Sequence, residues 1–189
     1  MDAARGHTLA ELLLACALGL TLACALLADV ASLQRAQRAQ RAWADLQEHE
    51  RLAFALLGEA LRTSCALRVR DGGLLLRQRQ RCGVPGASGD AHWWVARGAL
   101  RCRAVGDAAP QPVRTLLGAQ PVALQDMRLR FDVELPGARA MRRHVAADAL
   151  DATARVRTVE IGLRFVAPGL PAADWRRVFT WSPHPEGCA

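Results

Sequence analysis

The sequence predicts an α+β chain in which one long N-terminal helix, membrane-spanning in its first half, packs its second half on an antiparallel β-sheet domain. Three observations carry that expectation. An uncharged apolar run of 17 residues extends from Leu12 to Ala28, close to the shortest helix that crosses a bilayer. Helical spacing then continues without proline to about Thr63. Beyond it the apolar period changes to two, with glycine-bearing turns between short alternating segments.

The helix does not stop where the apolar run does. Val30, Leu33, Trp43, Leu46, Phe54, Leu57 and Leu61 recur near helical spacing, while Gln37, Gln40 and Gln47 interrupt the stripe and leave its first part weakly amphipathic. A helix from Thr8 to Leu61 would be roughly 80 Å long. That far exceeds an ordinary globular helix.

Strands follow. Leu67 to Arg70 and Leu74 to Arg77 flank Asp71-Gly72-Gly73, and Trp93 to Arg97 and Leu100 to Arg103 surround Gly98-Ala99, which gives two hairpins. The stretches Gly83 to Asp90 and Gly106 to Pro112 are loops by composition. Asp126 to Glu134 alternates through Met127, Leu129, Phe131 and Val133, and a later strand alternates through Val159, Ile161, Leu163 and Phe165. His144 to Thr153 is expected to be a short helix, and Trp175 to Trp181 a closing strand. Trp93 and Trp94 should face opposite sides of their strand.

Composition limits the function classes. The chain has 189 residues and net charge +7, and all 25 basic residues are arginine. Nucleic-acid binding normally draws on lysine as well, so arginine without lysine points to a coding bias before it points to an anionic partner. In the run Arg77-Gln78-Arg79-Gln80-Arg81, an extended backbone would put the three arginines on one face. A solvated edge strand is one reading of that run, and a contact for DNA or an acidic partner is the other.

No phosphate-binding or dinucleotide-binding glycine loop is present. Cys82, His92, Cys102, His184 and Cys188 are spaced too irregularly for a usual zinc module, and nothing orients Cys188 and His184 as nucleophile and base. The expectation is no catalytic residue, no metal and no cofactor. Cys16 and Cys24 lie in the apolar helix as packing residues, whereas Cys65, Cys82, Cys102 and Cys188 are possible disulfide partners in an exported domain, with three connectivities. A hairpin at Asp71-Gly72-Gly73 favours Cys65 with Cys82.

The segment Arg5-Gly6-His7-Thr8-Leu9-Ala10-Glu11 sets one carboxylate at the mouth of the apolar run. A charge deep in a bilayer costs roughly 2.5–3.5 kcal/mol, so Glu11 needs a role. A short hydrophilic leader ending in glycine, a glutamate five residues later and an apolar helix together resemble the prepilin signal of type IV pilins and type II secretion pseudopilins. The resemblance implies cleavage after Gly6 by a prepilin peptidase, with His7 as the new, methylated N-terminus where the family usually has phenylalanine. Glu11 would then pair with the protonated N-terminal amine of a neighbouring subunit. A secretory signal is the competing reading of the leader, but no small-residue cleavage site follows the apolar run.

Later segments resemble PilW-type minor pilins in the right order. Leu46-Gln47-Glu48-His49-Glu50-Arg51-Leu52-Ala53-Phe54-Ala55-Leu56-Leu57 resembles their spine, and Val95 to Arg103 their "VRNGALYCR" hairpin. Gln125 to Val133, Val145 to Leu150 and Arg177 to Thr180 resemble their later strands and close, with Phe131 at a family tyrosine and an added tail from Ser182 to Ala189. The type IV pilin-like fold so implied divides the chain into a prepilin leader (1–6), a transmembrane or filament-core helix (7–30), an amphipathic spine (31–64) and a periplasmic β-rich head (65–189).

The resemblance also implies a function: a minor pilin in type IV pilus assembly and priming, serving twitching motility or adhesion. Its partners would be other minor and major pilins, the prepilin peptidase, the inner-membrane assembly machinery and the membrane itself. It would be a single-pass inner-membrane protein with a periplasmic C-terminal domain, later in the pilus or at its tip. Arg5 alone precedes the span while Arg35, Arg38 and Arg41 follow it, so the positive-inside count favours the opposite orientation. The processing motif and the exported-type cysteines favour the periplasmic one. The alternatives are a GspJ-like pseudopilin of type II secretion, a competence subunit that binds DNA, and a simple anchored periplasmic domain.

Overall fold

The computed structural model describes residues 9–83, 88–106, 113–117, 121–134, 142–146 and 155–183. One α-helix, α1, runs from Leu9 to Arg62, and nine strands follow it among the described residues. The architecture is α+β, a long N-terminal helix with antiparallel sheets. Two compact units result, residues 1–41 and 42–189.

In the first unit α1 is exposed along its whole described length. Thr21 Oγ1 donates to the carbonyl of Leu18 and Ser32 Oγ to that of Asp29, so each hydroxyl finds its acceptor one turn back.

In the second unit the same helix turns one face inward. Leu46, Ala53, Phe54, Leu57, Gly58, Ala60 and Leu61 are buried, and from Ala53 onward they recur about once per turn. Sharing a core with this face is a meander of five antiparallel strands: β1 (Ser64–Arg70), β2 (Gly73–Gln78), β3 (Gly89–Ala96), β4 (Ala99–Val105) and β5 (Arg114–Leu117). Both of its tight hairpins use two residues at positive φ, Asp71-Gly72 and Arg97-Gly98, the geometry of a type I′ turn that matches strand twist.

A second sheet has the order β7-β6-β8-β9, with β6 at Ala123–Glu134, β7 at Arg142–Ala146, β8 at Arg155–Val166 and β9 at Ala173–Thr180. Its centre is the long β6–β8 pair. A register shift between Leu124 and Asp126 leaves both Leu124 and Met127 facing inward, and a second between Asp132 and Val133 does the same for Val156 and Val159. The two sheets adjoin where Leu124 N donates to Gly98 O at 3.0 Å. Phe131, Ile161, Leu163 and Phe165 share one core with Leu46, Phe54 and Leu57 of α1.

Helix and second sheet meet along β9. The Phe54 and Phe179 ring centroids are 6.3 Å apart, and the Arg177 guanidinium lies 5.1 Å from the Phe54 centroid while Nη2 reaches Glu50 Oε1 at 3.0 Å. Gly58 makes the approach possible, since a Cβ there would sit 2.8 Å from Phe179 Cε1.

Two expectations are corrected. His144 to Ala146 is extended rather than helical, because β7 pairs with β6 and sets Val145 opposite Phe131; residues 147–154 lie outside the described set. The arginine run is not one extended edge. Its first two residues end β2, an interior strand between β1 and β3, and Arg81 opens a 3-10 turn over Arg81–Gly83. Gln78, between two arginines, is buried, and Arg77 pairs with Asp90 at 2.8 Å. Trp93 is buried and Trp94 half-buried on the other face, as alternation requires.

Replacing Gly58 with leucine should destabilise the full-length protein by about 1–3 kcal/mol. Adding Phe179→Ala should recover part of that loss, so that the double variant falls short of the sum of the two single changes in denaturant titration. Strict additivity would show that helix and β9 do not meet there.

Candidate functional site: the exposed apolar helix

Nine leucines of α1 between Leu9 and Leu27 are exposed, at 9, 12, 13, 14, 18, 20, 22, 26 and 27. They point in every direction around the axis, so no single face could be hidden by folding back on a core. Removing them from water is worth on the order of 15–25 kcal/mol in total. Length and composition make α1 long and apolar enough to cross a membrane.

Small residues thread the same segment. Ala15, Gly19 and Ala23 recur every fourth position, the spacing that lets two apolar helices approach closely. Cys16 and Cys24 are exposed free cysteines on this helix.

Glu11 lies in the first turn of α1. There the unsatisfied amides and the helix macrodipole favour a negative charge. Gly6 and His7, the expected processing residues, lie outside the described residues, as does Cys188.

The head is closed by disulfide chemistry. Cys82 is bonded to Cys102 across a sequence separation of 20, with Cα atoms 5.6 Å apart. A loop of that size is tied down by about 3 kcal/mol on chain-entropy grounds. The expected pairing of Cys65 with Cys82 is therefore corrected. Register explains why: Ser64 pairs with Gln78 and Ala66 with Arg77, so the chain has passed the end of β1 before it reaches Cys82. Cys82 then takes φ 52 in the turn that faces β4. Cys65 is itself disulfide-bonded.

The other residues weighed as metal ligands have defined tasks too. Cys82 and Cys102 are spent in the disulfide, and His92 Nε2 donates to the Arg70 carbonyl at 3.0 Å. His184 lies outside the described residues.

Sequence reasoning missed the joint between helix and head. Gln78 Nε2 donates to Ala60 O at 2.8 Å and its Oε1 accepts from Trp93 Nε1 at 3.2 Å. Ser64 Oγ donates to Leu61 O at 2.7 Å and accepts from Trp181 Nε1 at 2.9 Å. The readable signal was Gly58, since a glycine inside a helix costs about 1 kcal/mol relative to alanine and so marks a close approach.

No family model matches the chain, and no curated protein matches it. Among solved structures it is similar to a type IV-like pilin from Thermus thermophilus, with 18% identity over 72% of this chain and 95% of that chain and a TM-score of 0.46. So distant a likeness carries no function, which has to come from the residues.

An arginine placed at Leu18, near the middle of the apolar segment, should cost about 2.5–3.5 kcal/mol of insertion free energy. The expected result is a measurable shift of the chain from the carbonate-resistant membrane pellet to the soluble fraction. Unchanged partition would mean that this segment does not reside in lipid.

Proposed function

We propose that the chain is a PilW-like minor pilin, a non-enzymatic subunit of type IV pilus assembly. In this reading the prepilin peptidase cleaves after Gly6 and His7 becomes the methylated N-terminus. The apolar part of α1 then holds the subunit in the inner membrane with its head in the periplasm. With other minor and major pilins, and through the inner-membrane assembly machinery, it enters a complex that primes or caps the pilus.

The observation that carries the proposal is one uninterrupted helix with two environments. Its first part is apolar on all sides and ends in an acidic first turn, and its second part is the core of a β-rich head. Such a helix can leave lipid only if other helices replace the lipid. The Ala15, Gly19 and Ala23 positions supply close contact for that exchange.

Glu11 gives the exchange a register. In an apolar surrounding a carboxylate favours a nearby counter-charge, and the protonated amine of a neighbour that begins at His7 would supply one of the right sign. A subunit displaced by a single turn, about 5.4 Å, would move the two charges apart. Assembly would thus select one axial position.

Replacing Glu11 with alanine should leave membrane partition unchanged and reduce surface pili at least several-fold, counted by shearing and immunoblot. Intact-mass measurement of the purified protein should find a mature chain that begins at His7. Normal piliation with Glu11→Ala, or a mature chain retaining Met1 to Gly6, would remove the proposal.

A further inference from the structure

The outer face of the five-stranded sheet is strongly basic in a way that composition does not explain. Register puts Arg68, Leu75, His92 and Arg103 in one row across β1 to β4, and Arg101 opposite Trp94 in the next row. Arg70 stands opposite Gly73, and Arg77 opposite Ala66 and Asp90. This face therefore carries five arginines and a single aspartate.

The second sheet is an internal control for coding bias. Along β6, β8 and β9 its outer face has Arg128, Arg130, Arg155, Arg157, Arg164 and Arg176, but also Asp126, Asp132, Glu134, Glu160 and Asp174, so its charges nearly cancel. Arg128 meets Asp126 at 3.0 Å there, and Arg176 meets Glu160 at 3.8 Å. The same arginine-rich chain thus balances one sheet and not the other. On the first sheet Asp90 is occupied by Arg77, and Arg70 has Asp71 at 3.4 Å. Arg68 and Arg103 have no acidic partner among the described residues.

Between these arginines lies an aromatic pair. The rings of His92 and Trp94 stack, with centroids 4.9 Å apart and planes 16° from parallel. His92 is buried and held by its bond to the Arg70 carbonyl, which fixes the surface on which Trp94 lies. Gly73 keeps the neighbouring strand low, because a Cβ there would collide with the Trp93 carbonyl oxygen and approach His92 Nε2 at 2.8 Å. A half-buried indole, propped from one side and flanked by a residue without a side chain, is left as a platform in a basic field.

We infer that this face binds single-stranded nucleic acid, with Trp94 stacking on a base and Arg68, Arg70, Arg101 and Arg103 contacting phosphates. Arg68 and Arg103 are three strands apart, about 14 Å at ordinary sheet spacing. Phosphates on either side of a stacked base fall within that reach. Bases are available for stacking only when unpaired, so a duplex would use the arginines alone.

The test is fluorescence anisotropy of labelled oligothymidylate titrated with the full-length chain in micelles of an uncharged detergent. Trp94→Leu should raise Kd about 5- to 100-fold, the loss of one stacked base. The Arg68→Gln/Arg103→Gln pair should flatten the slope of log K against log salt by about 1.4, since each phosphate contact on a single strand contributes about 0.7. Arg128→Gln/Arg176→Gln on the second sheet should leave the slope unchanged. The arginine pair stays decisive if Trp94→Leu fails to fold by circular dichroism. Absence of binding at low salt, an unchanged slope in the Arg68/Arg103 variant, or equal competition by duplex DNA or by alginate would overturn the inference.

Discussion

The end of α1 is the constraint on which the head depends. A helix that stops inside a protein leaves its last carbonyls without partners, and each one buried unsatisfied costs about 1–3 kcal/mol. Here the acceptors are taken in turn. Thr63 N and Oγ1 reach Glu59 O, Gln78 reaches Ala60 O and Ser64 reaches Leu61 O. Two of these donors are themselves held by indoles, Gln78 by Trp93 and Ser64 by Trp181. One helical turn therefore fixes the start of β1, the end of β2, the middle of β3 and the chain just after β9. Loss of Gln78 would loosen the first sheet on the helix, and loss of Ser64 would free the chain after β9.

That joint matters because the two halves of α1 need different solvents. The leucines from Leu9 to Leu27 are stable only out of water, whereas Arg35, Arg38 and Arg41 are exposed and charged. From Leu46 the helix is a core element of a head whose outer surfaces are largely arginine and acid. No proline interrupts it. The same proline-free helix thus supplies an apolar exposed segment and a core element of the head.

Much of this was legible in the sequence because periodicity reports burial. The change from helical spacing to alternation after Thr63 located the boundary between helix and sheets, and Met127, Leu129, Phe131 and Val133 all proved to face the core. What periodicity could not report was pairing. The helix expected at His144 is a strand because Val145 has Phe131 opposite it, a contact distant in sequence. Cys82 bonds to Cys102 because a turn at φ 52 aims it at β4 and away from β1. Arg97 occupies a turn position that ordinarily calls for asparagine or glycine, so its positive φ came from the hairpin around it rather than from its own preference. Gln78 looked like one polar residue in a charged run, and only the sheet register shows it turning inward while Arg77 turns out.

The arginines carry the same lesson further. Their number says little, since a chain without lysine must use arginine for every basic task. Their arrangement is more informative because both sheets were built from the same residue supply under the same bias. On the second sheet, cross-strand neighbours place Arg164 between Asp126 and Asp174, and Arg130 beside Glu160. This is how an exposed sheet avoids self-repulsion. On the first sheet, Arg68 and Arg103 are separated by Leu75 and His92, and Arg101 has Trp94 and Thr115 beside it. An apolar and aromatic strip bounded by uncompensated positive charge gains nothing for folding. Its repulsion lowers the stability of the head unless an anion is present, and stacking is the interaction that such a strip can offer in addition.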